Sequence, residues 1–195
     1  MTSALLRKHS FEAVFDSQQL FRLILEAISH PARTVQIGKY TNKLFGEHPA
    51  LLTLALVLLD NEVSFDTCGH ISLSEEIASL TLARKEGLTS ADFVFVADAT
   101  DIKGALENVK CGTLANPHKS ATVIIQNGGE ANCRLQLGGP GIDGQIESRV
   151  TQPVQEAIIW RDEQNYEYPQ GIDLFFVSNN GELFAIPRLV RREVA

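Results

Sequence analysis

A three-layer α/β/α domain built on a mixed central sheet is what the sequence predicts, and three features predict it. Helix-periodic segments alternate with strand-like ones along the chain. Phe93–Ala97 and Ala121–Gln126 are β-prone runs with little polar alternation, the pattern of strands covered on both faces. Turn residues at Asn127-Gly128-Gly129 and at Asn179-Asn180-Gly181 imply hairpins, hence antiparallel pairs in an otherwise parallel sheet.

The elements follow in order. Asp16 with Gln19 marks a helix start, since a short acidic side chain can satisfy the free amides of a first turn. Leu20, Phe21, Ile24 and Ile28 recur at helical spacing, and the helix stops near Ser29 because His30 precedes Pro31. Arg33–Ile37 reads as a short strand. Pro49 opens a helix to Leu59 that is apolar on nearly every side, which predicts burial between layers. Asp60-Asn61-Glu62 ends it and Val63–Phe65 begins a strand. Ser72 or Ser74 before Glu75-Glu76 starts a helix expected to reach about Lys85 and close at Gly87. After the covered strand at Phe93–Ala97 come a helix over Asp101–Val109 and the second covered strand. Cys133–Leu137 is expected to return as the hairpin partner of that strand. Thr151-Gln152-Pro153 opens a helix to about Trp160, and Ile172–Ser178 with Glu182–Ile186 form the last hairpin.

Length and charge narrow the function. The 195 residues suit one domain, 1–195, in which residues 1–14 are expected to form a flexible arm. Apolar residues at 44% and charged residues at 21% are ordinary globular usage, so disorder is not expected. A net charge of −7 argues against nucleic-acid binding, which needs a basic face. No apolar run is long enough for a membrane span and no secretory signal opens the chain, so a cytoplasmic location is expected. Cys68, Cys111 and Cys133 are odd in number and widely spaced, which fits neither a disulfide framework nor a zinc cluster; they read as small buried hydrophobes.

Local motifs give little chemistry. Gly139-Pro140-Gly141-Ile142-Asp143-Gly144 fits the Gly-x-Gly-x-x-Gly pattern that brings backbone amides and a helix N-terminus to a pyrophosphate. A stand-alone nucleotide- or phosphate-binding enzyme using Gly139–Gly144 is therefore the alternative reading. Its context is poor, because little room is left for a helix before Pro153, and a turn leading off the sheet is the expected structure. Lys119-Ser120 lacks the glycines of a phosphate loop. His9, His30, His48, His70 and His118 show no ligand spacing, so no metal site is expected, and no Gly-x-Ser-x-Gly elbow is present. The candidate anion- or partner-binding residues are polar or glycine positions beside turns: His30, Arg33, Gly139, Gly141, Asp173 and Arg188. Arg188, Arg191 and Arg192 read as a small basic tail, solvated or touching a partner. No catalytic residue is assigned.

Several ordered segments resemble one family. They are Phe21–Pro31, Leu51–Ala55 with Leu58–Glu62, Cys111-Gly112-Thr113, Pro117–Ile124, Arg134-Leu135 leading to Gly139–Ile142, Tyr168–Leu174 and Ala185-Ile186-Pro187-Arg188. In this order and spacing they resemble the H subunit of the carbon–phosphorus lyase system of phosphonate use, the PhnH family, from about residue 15 to residue 192. The chain departs from the family where Ala32 follows Pro31 in place of glycine, which disfavours a left-handed turn there. The resemblance implies a fold similar to the large domain of pyridoxal-phosphate-dependent transferases without the cofactor, and none of the seven lysines sits in a recognisable pyridoxal context. It implies a non-catalytic or co-catalytic subunit working with subunits G, I and J, a homodimer when alone, and no cofactor of its own. It implies support for formation of ribose 1-alkylphosphonate 5-triphosphate from ATP and an alkylphosphonate.

Overall fold

The computed structural model describes residues 9–164 and 166–193; the expected arm at 1–14 lies partly outside the described residues. Among the described residues, six α-helices and ten strands follow one another as α1 (Phe15–Ser29), β1 (Val35–Gln36), α2 (Gly38–Thr41), α3 (Pro49–Leu58), β2 (Ser64–Asp66), α4 (Ile71–Thr81), β3 (Arg84–Lys85), β4 (Phe93–Val96), α5 (Ile102–Asn108), β5 (Thr122–Asn127), β6 (Cys133–Gly138), β7 (Gln145–Val150), α6 (Gln152–Glu163), β8 (Asp173–Ser178), β9 (Glu182–Ile186) and β10 (Arg191–Arg192).

The central sheet has seven strands in the order β1-β9-β8-β5-β4-β2-β3. The five strands from β8 to β3 are parallel, and β9 and β1 add antiparallel pairs at one side. Side chains alternate between two cores. Phe95, Ile124, Phe175 and Val177 face the core that also holds Leu20 and Ile24 of α1, Leu51 and Leu54 of α3, and Leu73 and Ile77 of α4. Val94, Val96, Val123, Ile125, Leu174 and Phe176 face the other, against α5 and α6. The covered strands are thus apolar in both registers because helices lie over both faces. Six consecutive residues of α3, Ala50–Ala55, are buried, as its all-round apolar pattern requires.

Several sequence expectations change. Asp16 lies inside the first turn of α1 and not at its cap; Val14 holds the cap position. Asp16 accepts a hydrogen bond from the Glu12 amide (2.8 Å) and from Lys43 Nζ (2.7 Å), so it ties the helix start to the loop after α2. Burial pushes the Asp16 carboxyl up, but the Lys43 ammonium and the Glu12 amide outweigh it and hold the group below its ordinary value. A lowered folded pKa contributes stability that is present above the ordinary Asp pKa and is lost as pH falls below about 4. Asp16→Asn is therefore expected to be less stable at neutral pH by about 1–2 kcal/mol. Urea unfolding at stepped pH should show that difference close in acid.

Helix α4 ends at Thr81 and not near Lys85: Leu82 takes a left-handed φ of 60°, and Arg84–Lys85 continues as the edge strand β3, parallel to β2. Ala32 adopts φ 63° although it has a Cβ, so the left-handed turn is kept without glycine. Its amide donates to Ala185 O (3.1 Å), which fixes the turn against β9.

The largest correction concerns β6. It does not pair with β5. It pairs antiparallel with β7 and with β10 in a separate three-stranded sheet, order β10-β6-β7. Leu135, Leu137 and Val150 of this sheet close the second core. Gly139–Gly144 is the connection of the β6–β7 hairpin, and a strand, not a helix, follows it. The pyrophosphate-binding context, a strand feeding a helix N-terminus, is absent there. The expected basic tail is likewise built in: Arg191 and Arg192 are β10, Arg191 Nη1 reaches Asp162 Oδ1 (3.0 Å), and the Arg192 amide reaches Asp162 Oδ2 (2.9 Å). The three cysteines are free and half-buried, less buried than expected.

Candidate functional site

Parallel strands give a sheet two unlike edges, and the polar side chains of this fold collect at both. The candidates read from the sequence gather at the amino edge. Asp173 opens β8 and lies level with Thr122 at the start of β5. Arg188 follows β9, whose Ile186 pairs with Leu174. The Arg188 amide donates to Asp173 Oδ1 (2.8 Å), its Nε to Asp173 Oδ2 (3.0 Å), its Nη2 to the same carboxylate and its Nη1 to Pro117 O. The guanidinium is thus a clamp joining β8, the end of β9 and the loop before β5. It is mostly covered, with 21% of the side chain exposed, and its donors point into the protein.

The remaining candidates lie beside this clamp. A Cβ on Gly139 would meet Leu189 O at 2.7 Å, and one on Gly141 would meet the Pro31 ring at 3.1 Å and Ser29 O at 3.3 Å. The hairpin turn therefore packs against both the end of α1 and the segment after Arg188. His30 Nδ1 lies 3.1 Å from Glu26 O, and Arg33 Nη2 lies 3.3 Å from Glu26 Oε1 on the exposed surface. One rim thus holds His30, Gly139, Gly141, Asp173 and Arg188, with Arg33 at its outer side. The close backbone approaches explain the glycines without any ligand.

The carboxyl edge carries a second group that no sequence spacing announced. His48 precedes α3 and His70 caps α4, and the two helices start side by side at the ends of the strands. The imidazole rings meet edge to face with centroids 4.7 Å apart, and their Nε2 atoms are 3.2 Å apart. The neighbours fix the protons. Gln126, near the end of β5, donates through Nε2 to Asn179 Oδ1 (2.7 Å), so its Oε1 accepts from His48 Nδ1 (2.8 Å). His48 Nε2 is then the free lone pair. The Leu73 amide donates to His70 Nδ1 (3.4 Å), which leaves the His70 proton on Nε2, aimed at His48. A single chain of hydrogen bonds runs from the start of α4 through both histidines and Gln126 to Asn179.

Asn179 also lines a cavity of about 510 Å³ between the Asn127–Gly129 turn, Arg149–Thr151 and Ser178–Asn180. Its wall is largely polar, and Arg149 has no carboxylate partner among the described residues. Cavities of this size at the carboxyl ends of parallel strands are the usual ligand position of open α/β sheets. A second recess, of about 460 Å³, lies between the ends of β2 and β4 and includes Asp66, Cys68 and Asp101. Burial, with Asp66 and Asp101 adding to it, pushes the Cys68 thiol up to about 12, so it stays protonated at neutral pH and is a poor nucleophile.

The sequence profile of PhnH, described as a bacterial phosphonate metabolism protein, matches residues 9–193. This chain belongs to the PhnH family. A relative from Stutzerimonas stutzeri, named as the C-P lyase subunit protein HtxG, is 30% identical over 173 residues, covering 88% of this chain and 83% of that protein. The family resemblance read from the ordered segments is confirmed, and the PhnH match spans both sheets, both edges and the β6–β7 hairpin. Among the described residues of this PhnH-family chain, no helix is long and apolar enough to cross a membrane.

Proposed function

We propose that this chain is the H-type subunit of a carbon–phosphorus lyase assembly, acting with subunits G, I and J in forming ribose 1-alkylphosphonate 5-triphosphate from ATP and an alkylphosphonate. The observation that carries this reading is the family match over residues 9–193, together with a relative named as a C-P lyase subunit. In this reading the chain is a single cytoplasmic domain that pairs with itself when alone. Its fold groups with the large domain of pyridoxal-phosphate-dependent transferases, without the cofactor. The rim formed by His30, Arg33, Gly139, Gly141, Asp173 and Arg188 faces a partner or the anionic substrate, and bond-making belongs to the assembled complex.

The deciding experiment is co-purification of the chain with tagged G, I and J subunits. A stable complex supports the reading, and a chain that never associates with them at micromolar concentration overturns it. The rim gives a second expected result. Arg188→Ala removes the clamp between β8, β9 and the loop at Pro117, at a cost of about 2 kcal/mol for a largely covered charge-assisted pair. Lys85→Ala alters an exposed edge strand and should be near neutral. Growth on methylphosphonate as sole phosphorus source is expected to slow with Arg188→Ala and not with Lys85→Ala. Equal growth of the two strains would remove the reason for placing function at this rim.

A further inference from the structure

We propose that Glu47, His48 and His70 form a three-ligand site for a divalent cation of the zinc class at the carboxyl edge of the sheet. The proposal stands on side-chain geometry and does not depend on the reading of the chain as a lyase subunit.

One ligand atom from each of the three residues lies within 4.8 Å of the others. The two Nε2 atoms, 3.2 Å apart, already have nearly the separation of two nitrogens on one tetrahedral ion, since zinc–nitrogen bonds of about 2.0–2.1 Å at a tetrahedral angle place them about 3.3 Å apart. Glu47 is exposed, and its Oε2 accepts from Ser72 Oγ at 3.2 Å, so the carboxylate is already turned towards the first turn of α4.

The hydrogen bonds around the rings match what a metal-bound histidine needs. His48 donates its Nδ1 proton to Gln126 Oε1, and Gln126 is held by Asn179; the lone pair of His48 Nε2 is thereby presented at the site. An outer acceptor that fixes tautomer and ring direction in this way is the usual companion of a ligating imidazole. In the metal-free chain the His70 Nε2 proton fills the gap between the rings. Binding requires that proton to move to His70 Nδ1, where Ser72 Oγ lies 3.5 Å away as an acceptor. The move gives up the 3.2 Å bond between the two rings and the long 3.4 Å bond from the Leu73 amide, and two nitrogen–metal bonds take their place. No net proton is released by His70, and no redox change is involved.

The donor set selects the ion. Two imidazoles and one carboxylate suit zinc, cobalt or nickel, whereas calcium and magnesium prefer oxygen ligands in larger number. The N-termini of α3 and α4 add positive potential, which works against ions held by charge alone and leaves nitrogen lone pairs and Glu47 as the source of affinity. Three protein ligands leave a fourth position open for water or an anionic group.

The test uses the untagged, metal-free full chain. Titration with Zn²⁺, and with Co²⁺ as a visible probe, is expected to saturate at one equivalent with micromolar or tighter affinity. The Co²⁺ complex should show the intense visible absorption of four-coordination, and Zn²⁺ should raise the melting temperature. His48→Ala, whose side chain makes no cap hydrogen bond, is expected to weaken binding at least 100-fold while the melting temperature without metal stays within a few degrees. Glu47→Gln should weaken binding about tenfold, and His118→Ala should leave it unchanged. Absence of saturable one-equivalent binding by the wild-type chain overturns the proposal. So does His48→Ala binding as tightly as wild type.

Discussion

Replacement of Arg161 by alanine is expected to lower stability by about 3–5 kcal/mol, the largest loss from any single side chain considered. Arg161 sits on α6 with 0% of its side chain exposed. Its Nη2 donates to Val190 O (2.6 Å), its Nη1 to Ile186 O (3.2 Å) and Pro187 O (3.3 Å), and its Nε to Asp162 Oδ1 (3.0 Å). One guanidinium thus reaches three carbonyls at the end of β9 and before β10, of which Pro187 O also accepts from the Val190 amide (3.0 Å). Burial draws its pKa down while Asp162 pulls it up, yet an arginine starts so high that it remains charged at neutral pH. Truncation removes the guanidinium donors from those carbonyls and takes the buried cation from Asp162, which keeps Arg191 and the Arg192 amide. Each unpaired polar group adds about 1–3 kcal/mol, partly relieved if water enters. Arg161→Lys should recover less than half of the loss, because a point charge cannot serve several divergent acceptors. Urea unfolding of the two variants at pH 7 measures both values. A loss below 1 kcal/mol for Arg161→Ala would show that the β9–β10 link is held by other contacts.

Gly181→Ala is the second large effect, expected at about 3 kcal/mol. Gly181 turns the β8–β9 hairpin with φ 78°, which an alanine adopts at a cost of about 1 kcal/mol. The space is the greater problem. An added Cβ would lie 2.3 Å from Gly38 N and 2.4 Å from Gly38 Cα, so backbone must shift, and overpacking of this kind costs about 1–3 kcal/mol more. The same place joins β1 to the sheet through Ile37 N to Gly181 O (2.7 Å). Thermal unfolding should therefore show a melting temperature lowered by several degrees. Gly128→Ala, in open space, should change it little.

These two positions differ in how far the sequence foretells them. Asn179-Asn180-Gly181 between two apolar runs announces a turn, so the glycine is legible, although its contact with Gly38 is not. Arg161 looks like one more charged residue near the end of a helix, and nothing local says that it is buried. The sites divide the same way. Asp173 and Arg188 stand at strand ends beside Gly171 and Pro187, and local turn signals suffice to single them out. His48 and His70 are 22 residues apart with an intervening helix and strand. Neither has ligand spacing, and their meeting depends on α3 and α4 starting at the same edge of the sheet.

The sequence by itself determined the alternation of helices and strands, the double coverage of β4 and β5, the β8–β9 hairpin, the buried α3 and the family, because these rest on periodicity, turn residues and ordered local segments. Tertiary structure alone decided that β6 leaves β5 for β7 and β10, that Gly139–Gly144 joins two strands, that Arg84–Lys85 is an edge strand and that Arg161 is enclosed. A strand carries the same alternation whichever partner it finds, and a two-residue strand carries none at all. Partner choice is made by which apolar face must be covered: Leu135, Leu137 and Val150 close the core beside α6, a requirement that exists only once the helices have packed.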